Sequence, residues 1–183
     1  TVNLYNTTEE KVDEKVTEAG FRSVKNSIGK TICDNLASAL FSNVVILVEG
    51  SSDKAILEEV ANRYFDSATE FCKYGIQIIA AGGKGNIPQL HAILNNFGIV
   101  TLAMFDNDQS KRFDASPGGT ATQNELVSRY FGIEGECGDS EWPQSNLYSG
   151  NSIFIVEDNL EKFMEHEWSG WEEALCQSRN ELG

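Results

Sequence analysis

Hydrophobic and polar positions divide this chain of 183 residues into a helical lead-in and an alternating series of strands and helices. Up to residue 42, apolar residues recur at roughly helical spacing behind an acidic first turn at Glu9 and Glu10, which predicts an amphipathic helical arm. From Val44 onward, short apolar runs rich in β-branched residues alternate with segments of helical periodicity. Strands are predicted at 44–50, 76–83 and 99–108, and a fourth begins at residue 152.

The predicted strands are apolar on both faces, which is typical of a parallel sheet covered by helices on its two sides. Right-handed crossovers then favour a Rossmann-like α/β fold with a mostly parallel sheet. The stretch at about 109–151 is rich in glycine, serine and asparagine and contains one predicted helix, 122–131. The pattern therefore predicts an arm at 1–42 and one domain at 43–183 that carries an insertion at about 109–151.

The balance of charge is strongly acidic, with a formal net charge of −14. A stand-alone DNA-binding domain is usually basic, because contacts to phosphates supply most of its non-specific affinity. Most of the acidic residues are therefore interpreted as a solvated surface. If the chain acts on nucleic acid, we expect another domain or subunit to deliver the substrate and metal ions to neutralise the active centre.

The expected compartment follows from the apolar runs and the cysteines. No apolar run is long enough to cross a bilayer, and the first residues are too polar for a secretion signal. The four cysteines are far apart and lack metal-binding spacing, which favours reduced thiols in a cytoplasmic protein over disulfides. Because the sequence does not begin with Met, we expect it to be part of a longer protein.

Carboxylates stand where the predicted strands end. In open α/β sheets the functional site lies beyond the carboxyl ends of the strands, so these side chains are candidate ligands of one metal centre. The candidate ligands are Glu49, Asp53, Asp106, Asp108, Glu157 and Glu161. Ligand sets made only of oxygen select Mg²⁺ or Mn²⁺ over zinc. The number of acids predicts two metal ions, or one ion and an acid/base group, and two ions would act together in phosphodiester hydrolysis.

Most of these acids also have a purely structural interpretation. Asp53 and Glu161 could simply be favourable charges at helix N-termini. Asp106 and Asp108 could form turns through side-chain hydrogen bonds to the backbone. Glu49 is harder to explain in this way, because a carboxylate directly after five apolar residues is partly desolvated and needs a cation or donors nearby.

Several blocks of the sequence resemble one known family. ALFSNVVILVEGSSDKAIL (39–57) is similar to the entry into the TOPRIM domain of OLD-family (overcoming lysogenization defect) nucleases. AAGGKGNI (80–87), FDND (105–108) and a later apolar strand followed by Leu160-Glu161 are similar in order and spacing. The resemblance covers about residues 36–168 and implies a metal-dependent DNA endonuclease domain, usually fused behind an ABC-type ATPase.

The family motifs assign roles to individual residues. The resemblance implies that Glu49 and Asp53, then Asp106 and Asp108, and finally Glu161 bind metal. Glu49, Asp106 and Asp108 are the candidate catalytic acids, with Glu157 as a further candidate ligand. Glycines at strand ends, Gly50, Gly82 and Gly83, are candidates to approach phosphate closely, although the glycine pair could equally serve only a tight turn.

The basic residue that such nucleases commonly have near their last acidic motif is absent here, where the sequence reads VEDNLEK. Lys84 or Lys162 could take its place as a catalytic residue, or either could be a solvated surface lysine. No GxxxxGK[ST] motif occurs, so ATP would act only through an ATPase domain or subunit outside this chain. DNA and that ATPase are the expected partners, and a second copy of the chain is a further candidate.

Two other functions stay open on the sequence. One is a TOPRIM ribonuclease of the RNA-maturation kind, and the other is a non-catalytic TOPRIM module that binds nucleic acid or a protein partner. The DNDQSKRFD stretch lacks the DxDxxG continuation of topoisomerase, primase and maturase-type relatives, which argues against those branches.

Overall fold

The computed structural model describes residues 36–65, 68–111, 115–116, 118–133, 147–150, 153–173 and 176. Most of the predicted arm at 1–42 and the centre of the predicted insertion therefore lie outside the described residues. Of the arm, residues 36–39 are helical and lead towards the first strand, with Leu36 and Ala39 buried in the main core.

The described elements alternate between strands and helices along the chain. In order they are β1 (Val44–Val48), α1 (Ser51–Tyr64), α2 (Ala68–Lys73), β2 (Ile76–Ala80), α3 (Ile87–Asn96), β3 (Val100–Asp106), α4 (Thr120–Phe131), β4 (Leu147–Gly150), β5 (Ile153–Val156) and α5 (Leu160–Glu167). Short 3-10 turns follow β2 at Lys84–Asn86 and β3 at Gln109–Lys111.

The strands form one sheet of order β2-β1-β3-β5-β4. The first four of these are mutually parallel, and β4 pairs antiparallel with β5 at the edge. The expected Rossmann-like α/β fold is therefore confirmed, with one strand that the apolar pattern did not predict. The chain places β2 on one side of β1 and β3 on the other, so a topological switch point lies between β1 and β3, where open α/β sheets bind ligands.

Two apolar layers cover the sheet, as the continuous hydrophobic strands predict. On one face α3 and α4 pack against β1, β3 and β5, and the fully buried residues there include Leu47, Leu94 and Ile155. On the other face α1 and α5 pack through Ile56 and Leu160, beside Val156. Full burial of each such aliphatic side chain contributes about 1.5–3 kcal/mol, so the two layers hold the strand ends in fixed positions.

The described surface bears on two further expectations. Cys72 and Cys176 are exposed free thiols, whereas Cys33 and Cys137 lie outside the described residues. None of the helices in the described part of the chain has both the length and the apolar character that a membrane span requires.

Candidate metal centre

Asp53 is held at the start of α1 by the turn that follows β1. Gly50 caps this helix, and its backbone N–H donates a hydrogen bond of 2.7 Å to Oδ2 of Asp53. The side chain therefore does serve the helix N-terminus, as the structural interpretation had it. It is also only 7% exposed, so the carboxylate is largely withdrawn from water.

Asp106 and Glu161 are brought together by the pairing of β3 with β5. Asp106 is the last residue of β3 and lies opposite Val156 at the end of β5. Its Oδ1 accepts a hydrogen bond of 3.1 Å from the backbone N–H of Leu160, the first residue of α5. Asn159 caps the same helix by accepting from the backbone N–H of Lys162 at 2.9 Å, and Glu161 stands in the first turn.

Three of the predicted ligands converge at this point. Asp53, Asp106 and Glu161 each offer one carboxylate oxygen, and the three atoms lie within 4.8 Å of one another. Burial raises the pKa of Asp106 to about 8, and the negative charges of Asp53, Glu49, Asp108 and Glu161 add to the effect. Burial likewise raises the pKa of Asp53, against the lowering effect of the Gly50 N–H. A divalent cation would relieve this repulsion.

Lys84 lies in the interior, beside the second acid of the Asp-Asn-Asp motif. Its ammonium donates hydrogen bonds to Oδ2 of Asp108 at 2.9 Å and to Oδ1 of Asn124 at 2.8 Å. The lysine is 1% exposed, which excludes its interpretation as a surface residue. Asp108 itself adopts a left-handed backbone conformation with φ of 49°, which aspartate tolerates better than most residues.

The surroundings of Glu49 test whether the residues of this site fit a metal ion. Its Oε2 is buried and has no hydrogen-bond donor among the described residues, and the Lys84 Nζ lies 4.0 Å away. Burial raises the pKa of Glu49, while the Lys84 charge opposes the rise. A desolvated carboxylate oxygen without a donor, beside three converging carboxylates, fits a hard divalent cation.

Glycines at the end of β2 hold the turn that delivers Lys84. Gly82 and Gly83 have φ of 74° and 127°, a region that side chains disfavour. The backbone N–H of Gly83 donates to the carbonyl oxygen of Glu49 at 2.9 Å, which ties the end of β2 to the end of β1. The tight-turn interpretation is thus confirmed, and the approach of these glycines and Gly50 to phosphate stays a prediction.

Besides Glu49 and Asp108, two further predicted site residues, Glu157 and Lys162, are not part of the group of three. Glu157 is half-buried after β5 and is outside the set of converging oxygens found among the described residues. Lys162 is exposed and forms an ion pair with Asp158, whose carboxylate also accepts from the backbone N–H and hydroxyl of Ser110. The role of Glu157 as a metal ligand and that of Lys162 as a basic residue that stabilises transition-state charge stay predictions.

Asn124 is a site residue that the sequence reasoning missed. It is 1% exposed, and its Nδ2 donates to the backbone oxygen of Asn107 at 2.8 Å and to the Asn107 side chain at 3.0 Å. A sequence signal for this role exists. Asn124 lies three residues before Val127 and therefore on the same, buried face of the helix. A polar residue on such a face needs buried partners.

The comparison with protein families decides which fold family this is. Residues 40–108 match the family model for the overcoming lysogenization defect protein-like TOPRIM domain. Residues 40–108 belong to an OLD-like TOPRIM domain. The match spans β1 to the end of the Asp-Asn-Asp motif and so includes Glu49, Asp53, Lys84 and both aspartates. Glu161 lies beyond the matched residues, and the pairing of β3 with β5 places it near Asp53 and Asp106.

The family match indicates the kind of site, but it does not identify the bound ion or the reaction. No curated protein matches the chain. TOPRIM domains bind divalent metals and belong to proteins that handle nucleic acid, and the OLD-like kind belongs to nuclease-type enzymes. The acidic group formed by Asp53, Asp106 and Glu161 is the candidate metal site of this OLD-like TOPRIM domain.

Proposed function

We propose that this OLD-like TOPRIM domain is a metal-dependent endonuclease that hydrolyses DNA phosphodiester bonds with Mg²⁺ or Mn²⁺. The observation that carries the proposal is the meeting of Asp53, Asp106 and Glu161 within 4.8 Å at the switch point of the sheet. The group contains only carboxylate oxygens, the ligands that hard divalent ions prefer.

The proposal divides two tasks, metal binding and proton transfer, among the acids. Asp53, Asp106 and Glu161 hold the cation, with Glu157 as a further candidate ligand at the rim of the site. When bound, the ion supplies positive charge to phosphate oxygens and makes a water more acidic. Glu49 accepts the proton of the attacking water at Oε2, since that buried oxygen has no donor among the described residues.

Basic and backbone groups complete the proposed site. Lys84 contributes a fixed positive charge beside Glu49 and Asp108. Lys162 is the second candidate for this task, although its ammonium is paired with Asp158. The Gly82-Gly83 turn and Gly50 leave room for backbone groups to approach a phosphate. The number of ions is a separate question, because the sequence predicts two and the described residues gather one group of three ligand atoms.

The acidic surface supports a partner that delivers the substrate. At a net charge of −14 the chain gains little from non-specific attraction to phosphates. The proposed partner is an ABC-type ATPase domain or subunit, through which ATP would act, in the cytoplasm. A second copy of the chain is a further candidate partner.

Cleavage of supercoiled plasmid DNA tests the function. We expect nicking or cutting with Mg²⁺ or Mn²⁺ and none with EDTA. Asp106→Asn should lower the rate at least about 100-fold, because it removes one of the three carboxylates that would hold the cation. Glu165→Gln is the matched control, since Glu165 is exposed on α5 one turn beyond Glu161 and should keep the wild-type rate.

Two other outcomes would replace the proposal. Faster metal-dependent cleavage of single-stranded RNA than of DNA would make the domain a ribonuclease. Binding of metal and nucleic acid without turnover, in the full chain supplied with its ATPase partner, would make it a non-catalytic TOPRIM module. Equal cleavage by wild type and Asp106→Asn would show that the activity is not that of this site.

A further inference from the structure

Lys84 contacts acids that lie outside the group of three. Its ammonium is 2.9 Å from Oδ2 of Asp108 and 4.0 Å from Oε2 of Glu49. We infer that Lys84 is a built-in cation that takes the place of a second metal ion between these two carboxylates. The centre then holds one divalent ion, at Asp53, Asp106 and Glu161. This inference rests on the metal site of the proposed function and concerns how the remaining negative charge is neutralised.

The space between Glu49 and Asp108 is taken up by the ammonium. A magnesium-like ion shared by two carboxylates needs an oxygen of each at about 2.1 Å. The Lys84 nitrogen hydrogen-bonds one of these oxygens and lies within ion-pair distance of the other. An added divalent ion at the same place would have to displace the ammonium, since two cations in contact repel strongly in a partly desolvated site.

Lys84 cannot readily swing out to make room. A lysine that is 1% exposed has no path to solvent unless the surrounding packing opens. Asn124 accepts its second hydrogen bond, and the Asn124 amide is itself anchored on both the backbone and the side chain of Asn107. The asparagine from α4 is thus a positioning residue, which fixes the ammonium against the Asp-Asn-Asp motif.

A second lysine shows what an ordinary surface contact at this site looks like. Lys111 reaches the other oxygen of Asp108 at 3.8 Å, but its side chain is 71% exposed. Exposed ion pairs of this kind contribute about 0–1 kcal/mol, and their ammonium groups move freely into water. Lys111 therefore offers a matched control, because its removal takes the same charge from the same aspartate without emptying the buried position.

Manganese binding to the full chain, in the absence of nucleic acid, tests the inference. Calorimetry gives the number of ions, and electron paramagnetic resonance distinguishes one isolated Mn²⁺ from a spin-coupled pair about 4 Å apart. We expect one uncoupled ion in wild type and in Lys111→Met. Lys84→Met should bind two ions with a coupled spectrum, because Glu49 and Asp108 lose their cation and a second Mn²⁺ takes its place.

The outcomes separate this inference from the proposed function. A coupled pair in wild type, or a folded Lys84→Met that still holds one ion, would overturn the role of Lys84 and leave the nuclease proposal standing. One ion in wild type and two in Lys84→Met would support it even if no DNA were cut. Circular dichroism checks that Lys84→Met folds, and if it does not, the wild-type spectrum alone decides. A wild type without any bound ion would overturn both.

Discussion

The ammonium of Lys84 and the carboxylate of Asp108 meet at 2.9 Å across the end of the sheet. The lysine follows β2 and the aspartate follows β3, and β1 lies between these strands. The contact therefore passes over the end of β1, where Glu49 stands. It gives the acidic centre of this OLD-like TOPRIM domain an internal positive charge that the motif by itself does not contain.

Removal of one carboxylate from the group of three should weaken metal binding. Glu161→Gln takes away one negative ligand, and we expect the Mn²⁺ dissociation constant to rise on the order of tenfold or more, because affinity follows the number of charged ligands. Glu165→Gln on the same helix should leave it unchanged, since that side chain is exposed one turn further on. Calorimetric titration measures both variants, and equal Mn²⁺ affinities in the two would show that Glu161 is not a metal ligand.

The stability of the metal-free protein should fall as the pH rises towards 8. The pKa of Asp106 is raised from its ordinary 3.8 to about 8, chiefly by burial, so between these values the folded state binds a proton that the unfolded state has lost. The free energy of unfolding therefore decreases through that window. In Asp106→Asn this contribution is absent. Urea unfolding in EDTA near each end of the window checks it, and parallel pH profiles would contradict it.

Asn124, which contacts Lys84 and Asn107, should contribute strongly to the free energy of unfolding. Asn124→Ala removes one of the two hydrogen bonds of the buried Lys84 ammonium and both hydrogen bonds that the Asn124 amide donates to Asn107. We expect a loss of roughly 3 kcal/mol in the free energy of unfolding, because a buried hydrogen bond to a charged group contributes about 1.5–3 kcal/mol and one between neutral groups about 0.5–1.5 kcal/mol. Glu125→Gln, at the next and exposed position, should cost less than about 0.5 kcal/mol. Similar losses in the two variants would contradict the buried network.

The two candidate lysines should differ in their effect on cleavage. Lys84→Met should lower kcat about 100-fold, because a second ion bound in place of the ammonium would not reproduce the fixed position that Asn124 and Asp108 give it. Lys162→Met should have a much smaller effect, since that ammonium is exposed and already paired with Asp158. Plasmid cleavage under single-turnover conditions compares them, and the reverse order would assign the basic role to Lys162.

The parallel strands and the longer helices between them could be predicted because their signals are local, whereas the short helix α2 was not predicted. Each run is apolar on both faces whatever it pairs with, and β1, β2, β3 and β5 were found within a few residues of their bounds. Strand β4 was missed because LYSG is short and has no alternation of its own. It is a strand only through its antiparallel partner β5.

The sequence by itself determined which carboxylates stand at strand ends and that the 39–57 block resembles an OLD-family TOPRIM domain. Both are readable from neighbouring residues, because a strand end and a motif are defined within a few positions. Only the tertiary structure decided that Glu161 joins Asp53 and Asp106, and that Lys84 is buried against Asp108 through Asn124. Those contacts depend on the order of strands in the sheet and on the packing of α4 and α5, which no local pattern specifies.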